Sequence, residues 1–131
     1  MTEMHVTRSY IQAHRSWLFV YGDNLVRRGY GGQAKECRGE PNTLGIPTKH
    51  YPSMEKKAFF TDEDYWVVRD VIENAILSVD FSEYEKIIVL PRIGEGRAQL
   101  SSHSQKIWEY VQDCLKRLKE GRKKEENDGK T

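Results

Sequence analysis

Two short runs constrain the fold of this chain more than anything else in it. Trp17-Leu18-Phe19-Val20-Tyr21 is wholly apolar and aromatic, and Lys86-Ile87-Ile88-Val89-Leu90-Pro91 carries four consecutive aliphatic residues. Strands without polar alternation belong in sheets covered on both faces, so both runs predict buried strands with helices on either side. The first enters Gly22-Asp23-Asn24, residues that supply turn conformations which β-branched and aromatic residues avoid. The second leads to Gly94-Glu95-Gly96. Leu44-Gly45-Ile46-Pro47-Thr48 is a weaker strand, and its Pro47 argues for a strand end or an edge.

Helical patterns lie between these runs. Gly29-Tyr30-Gly31-Gly32 precedes a short helix over Gln33–Arg38 that Gly39 closes. Thr61 or Asp62 caps a helix to about Val79, with Tyr65, Val68, Ile72, Ala75, Ile76 and Val79 at three-to-four spacing. Ser101 or Ser102 starts a last helix carrying Ile107, Trp108, Val111, Cys114, Leu115 and Leu118. Trp17, Trp66 and Trp108 all fall in strand or helix patterns and read as core. This alternation predicts a three-layer α/β domain over 1–120, with 121–131 as a disordered, charged tail.

Composition narrows the function classes. At 131 residues the chain fits one domain with a real core. Its 21 basic and 20 acidic side chains nearly cancel, which removes bulk electrostatics as a reason to expect nucleic acid. Cys37 and Cys114 lie far apart, without metal-type spacing, so neither a metal site nor a disulfide framework is expected. Residues 1–5 lack a signal-peptide pattern, and no apolar run approaches the ~20 residues of a membrane span. The expectation is a cytoplasmic monomer without membrane contact, resident metal or cofactor.

The chemistry is expected at the glycine clusters. In open α/β sheets, ligands collect at the carboxyl ends of strands, where loops meet helix N-termini and the dipole favours an anion. Glycine lets a phosphate approach the main chain closely. Two such loops suggest one diphosphate clamped from both sides, although each taken alone can simply turn the chain.

Three segments resemble the macrodomain superfamily, nearest its compact ADP-ribose glycohydrolase branch, which holds terminal ADP-ribose glycohydrolases and DNA ADP-ribose antitoxins. Leu90-Pro91-Arg92-Ile93-Gly94-Glu95-Gly96 is similar to that branch's second phosphate loop, roughly PRIGCGL. Ile46-Pro47-Thr48-Lys49 resembles its (I/F)xTK segment, and Arg28-Gly29-Tyr30-Gly31-Gly32-Gln33-Ala34 its first glycine loop. The likeness runs from about Trp17 to Leu118 in the family's order. It implies a macrodomain-like fold with a central mixed sheet, trimmed at one edge here because the polar tail supplies no further strand.

The resemblance also implies roles. The ligand would be ADP-ribose, or an ADP-ribosyl group on a protein or nucleic acid. Asp23 and Asn24 would meet its adenosine or distal-ribose end. Gly31 and Gly32, in the loop with Gly29, would meet the diphosphate or distal ribose, and Gly94 and Gly96 the diphosphate from the other side. Tyr30 would stack on the adenine or cover the ribose, and Arg97 would attract the polyanionic ligand. Thr48 accompanies Lys49, which matches the lysine that the family's glycohydrolases place at the anomeric carbon. A desolvated amine suits that task, as nucleophile or as charge stabiliser. The chain departs from the pattern at Ala98, where the eukaryotic enzymes carry the partner aspartate. Glu95 is the candidate substitute; an exposed loop carboxylate is the competing reading. Two functions follow: hydrolysis of the ADP-ribosyl link through Lys49, or non-catalytic reading or sequestration of ADP-ribose or an NAD-derived nucleotide. A nucleic-acid accessory protein is a third, weakened by the near-neutral charge.

Overall fold

A computed structural model describes the backbone of residues 6–128 and the side chains of 6–120. Helix α1 (Arg8–Ala13) leads into the central strand β1 (Trp17–Asp23). The one-turn helix α2 (Ala34–Cys37) connects β1 to β2 (Thr43–Pro47). A capping box between Thr61 and Asp64 starts one 3-10 turn that flows into α3 (Tyr65–Leu77). Strand β3 (Lys86–Val89), the short α4 (Leu100–His103) and the long α5 (Gln105–Asp128) complete the chain.

The sheet has the order β2-β1-β3 and both pairings are parallel. The expected mixed sheet is therefore not found among the described residues. Each connection passes through helix, which returns the chain to the same end of the sheet before the next strand begins. Among the described residues, antiparallel pairing is confined to an isolated bridge between Lys49 and Phe59.

Alternation along β1 divides the core into two halves. Leu18 and Val20 point to one face and pack with Leu44, Ile46 and the apolar stripes of α3 and α5, including Val68, Ile72, Ile107 and Val111. Phe19 and Tyr21 point to the other and pack with Ile11 of α1 and with Ala34 and Cys37 of α2. The result is helix, sheet, helix: a three-layer α/β arrangement.

Three details depart from expectation. Helix α1 was not expected; at six residues it has little periodicity to read, though Thr7 caps it by accepting from the Tyr10 N–H at 3.1 Å. Trp66 is 65% exposed rather than core. It precedes the buried Val68 by two positions, about 200° around the helix, and so faces solvent beside Arg69 and Lys106. Helix α5 continues to Asp128, past the Gly121 at which the composition starts a tail, through the helix-forming run Arg122-Lys123-Lys124-Glu125-Glu126. Residues 129–131 of that tail lie outside the described residues.

Candidate functional site

The order of the strands locates the site. From β1 the chain moves to β2 on one side, then crosses to β3 on the other, so the winding reverses at β1. At such a reversal the loops leaving adjacent strands part, opening a crevice at their carboxyl ends. Here the last ladder bond runs from Leu90 N–H to Val20 O at 2.9 Å. Beyond it the Gln33 side chain spans the gap, accepting from Gly22 N–H at 2.8 Å and donating to Pro91 O at 2.5 Å.

The crevice is a cavity of about 760 Å³. That volume falls within the range of small-molecule sites. All the residues nominated from sequence line it: Asp23, Asn24, Gly29 to Gly32, Thr48, Lys49, and the second-loop residues Gly94, Glu95, Gly96 and Arg97. The two glycine loops meet across it, since a Cβ at Gly31 would lie 3.0 Å from Arg97 Nη1. Among the described residues, the N–H groups of Tyr30, Gly31, Gly32, Gly94 and Gly96 find no acceptor within the protein. Five cationic side chains (Arg28, Arg38, Lys49, Arg92 and Arg97) line the cavity against two carboxylates, Asp23 and Glu95. A chain of balanced charge thus concentrates positive potential and main-chain donors in one place, a combination suited to an anion.

The helix N-termini contribute less than expected. The helix after the first loop is only Ala34–Cys37, too short to build an appreciable macrodipole. Loop amides and side-chain cations carry the electrostatics instead. Gly94 is required on two counts: its φ is +90°, and a Cβ there would lie 3.2 Å from the Trp108 ring.

Asp23 serves the wall rather than the lumen. Its carboxylate accepts from Arg38 Nη2 at 2.5 Å, from Arg27 Nη1 at 3.0 Å, and from Asn24 N–H at 2.8 Å. Arg38 in turn donates through Nε to Gly29 O at 2.8 Å, so the aspartate fixes the first glycine loop through the arginine. Asn24 donates to Arg28 O at 2.8 Å, and the Thr48 hydroxyl donates to Asp23 O at 3.1 Å. These three residues border the cavity, but their described hydrogen bonds shape the loop.

Lys49 is different. It is 8% exposed, its Nζ lies 3.6 Å from Met54 Sδ and 4.8 Å from the centre of the Phe59 ring. Among the described residues no carboxylate pairs with it. Burial lowers its pKa from the ordinary lysine value, and the Arg97 charge lowers it further. Phe59 is held from the second loop's side by His103, stacked at 4.1 Å. Glu95 is exposed at the rim, and Ala98 is buried in the wall. Tyr30 stands 67% exposed at the cavity mouth. His50 turns away to Asp64 at 3.0 Å, and the Tyr51 hydroxyl donates to Glu55, outside the cavity lining.

Sequence reasoning passed over Gln33, Met54 and Phe59. Gln33 reads as one more polar residue of a short helix, and no spacing reveals that it bridges two strands. Met54 and Phe59 reach Lys49 from a segment without periodicity. No helix among the described residues is long and apolar enough to cross a membrane. No curated protein and no solved structure matches the chain. A family model does match, over residues 1–114, and on that coverage the chain belongs to the family described as a family of unknown function, DUF7831.

Proposed function

We propose that the cavity receives an ADP-ribosyl group and that Lys49 acts at its distal ribose, releasing ADP-ribose from a modified protein or nucleic acid. The observation that carries this reading is the convergence of both glycine loops on one cavity with a buried lysine that no carboxylate among the described residues pairs. The loop amides and Arg97 suit the pyrophosphate, and Tyr30 at the mouth offers a ring face for stacking. Burial holds the Lys49 pKa below the ordinary lysine value, so its amine gives up a proton more readily. The free amine is then a competent nucleophile toward the anomeric carbon, displacing the macromolecule, and water releases ADP-ribose in a second step.

A second reading, a reader that binds ADP-ribose or an NAD-derived nucleotide without turnover, is favoured by Ala98 and by the exposed Glu95. Ala98 carries no acid, and among the described residues no carboxylate forms an ion pair with the lysine.

Calorimetry with ADP-ribose, beside AMP and a short DNA, tests the ligand class; saturable heat with ADP-ribose alone is expected. Incubating ADP-ribosylated protein and ADP-ribosylated DNA with the wild type and with Lys49→Ala then separates the two readings. Release by the wild type and its loss in Lys49→Ala is the expected result. Binding without release leaves the reader; equal release by both proteins removes Lys49 from the reaction.

A further inference from the structure

Strand β3 is an outer strand built like an inner one. It pairs with β1 along one side, and among the described residues nothing pairs with the other. Its Ile87, Ile88 and Val89 are half-buried, Ile87 and Val89 against one helical layer and Ile88 against the other. Outer strands ordinarily carry charge, proline or a bulge that stops another chain from pairing. The opposite outer strand does so: β2 contains Gly45 and ends in Pro47. The β3 run is bounded by the exposed Lys86 and by Pro91, but between them Ile87 to Leu90 form an uninterrupted aliphatic edge, and the Lys86 amine lies over the Trp17 ring at 4.5 Å.

Charge along the edge indicates what fits it. At the carboxyl end, a groove of about 240 Å³ between β3 and α5 is lined by Arg92, Lys116 and Lys119, with no carboxylate among the described residues. Gln112, Lys116 and Lys119 follow one another by four and three positions and form a single stripe of α5. At the amino end, Glu83 and Glu85 are exposed. A second copy laid antiparallel brings its acidic end onto this basic groove, and the two-fold relation repeats that match at the other end. A nucleic acid fits less well, because it would leave the strand's outward backbone groups unpaired and, among the described residues, no aromatic side chain lines the groove for base stacking.

We infer that β3 is the seam of a homodimer in which two copies pair antiparallel to form one continuous six-stranded sheet. The register follows from the ladder. Leu90 N–H points to β1, so by alternation the backbone groups of Ile87 and Val89 face outward. Pairing those residues across the dyad sets Ile87 opposite Val89, and Ile88 meets its own copy. The ladder ends there, since the Glu85 N–H is bonded to Ser16 O at 2.7 Å and Pro91 has no N–H.

The full chain carrying Ile88→Cys tests this directly. Facing residues of a non-hydrogen-bonded antiparallel pair lie ~4.5 Å apart between Cα atoms, within disulfide reach. The native Cys37 and Cys114 are buried and do not compete. Mild oxidation is expected to give a covalent dimer with Ile88→Cys and none with Lys86→Cys, which the register places opposite Leu90. By sedimentation equilibrium, the surface variants Lys116→Glu/Lys119→Glu and Glu83→Lys/Glu85→Lys should each dimerise roughly tenfold more weakly, and their mixture should recover the wild-type affinity. A wild type that stays monomeric at about 100 µM overturns the inference. So does a dimer that neither the charge reversals nor the Ile88→Cys cross-link touches, since its contact lies elsewhere.

Discussion

Asp23 and Lys49 sit close together at the carboxyl ends of β1 and β2, both buried and both bordering the same cavity, yet their surroundings are opposite. Asp23, with its side chain 1% exposed, is met by two arginines and a backbone N–H. Lys49 is met by a thioether and an aromatic ring. A buried charge without a partner is costly, and a fold selected for stability alone would pair it or remove it. The aspartate end is the scaffold, then, and the lysine end is where the fold tolerates strain that serves chemistry. This contrast turns the functional reading into statements about stability, each of which can fail.

Asp23→Asn should have the largest effect. It removes the charge at constant shape and leaves Arg38 and Arg27 facing each other beside the Gly29 carbonyl. Breaking a buried pair on one side costs roughly 3–5 kcal/mol, and the low end is expected because Arg27 is 39% exposed. Urea unfolding measures this; a loss below about 1 kcal/mol would remove Asp23 from the scaffold. Gly45→Ala should come next. A Cβ there would lie 2.6 Å from Asp23 Oδ2 and 3.0 Å from Arg27 Nη1. Overpacking of this kind costs typically 1–3 kcal/mol. The same substitution at Gly39, whose Cβ meets nothing within 4 Å but whose φ is +92°, separates backbone strain from the clash.

The legibility of the molecule divides along the same line. The strands at Trp17 and Lys86 and the helices α3 and α5 were readable because burial imposes period on sequence, and the strand–loop junctions followed from glycine chemistry. Convergence of Gly31 and Gly94 on one cavity was an expectation that the strand order met. The parallel sheet was not readable, since strand direction depends on connections and the resemblance supplied the mixed one. Nor was the partnership of Asp23 with Arg38, fifteen residues apart: a carboxylate at a strand end looks alike whether it holds a ligand or an arginine. The isolation of Lys49 depends on what is absent from its surroundings, and no motif records an absence.

Lys49→Met should show the smallest change in stability, and its sign is what matters. Replacing the ammonium by an apolar side chain of similar length removes from the Met54–Phe59 contact a charge that no described carboxylate pairs, so stability at neutral pH should hold or rise. The pH dependence identifies the cause. With its folded pKa below the ordinary lysine value, Lys49 releases its proton in the native state before it does so in the unfolded chain. Between those two values the unfolded state binds more protons, and this group's contribution to stability rises with pH; below the folded value its cost is fully present. Tyr21 and Cys37, whose pKa values burial pushes up to about 12, act oppositely at alkaline pH, because there the unfolded chain loses its protons first. The wild-type curve therefore mixes both signs. Subtracting the Lys49→Met curve cancels the Tyr21 and Cys37 contributions, and the remainder should climb with pH on the alkaline side and flatten above the unfolded lysine value. A flat difference curve, or a clear loss of stability in Lys49→Met at neutral pH, would mean that the lysine is a satisfied part of the scaffold like Asp23, and the contrast between the two ends of the cavity would collapse.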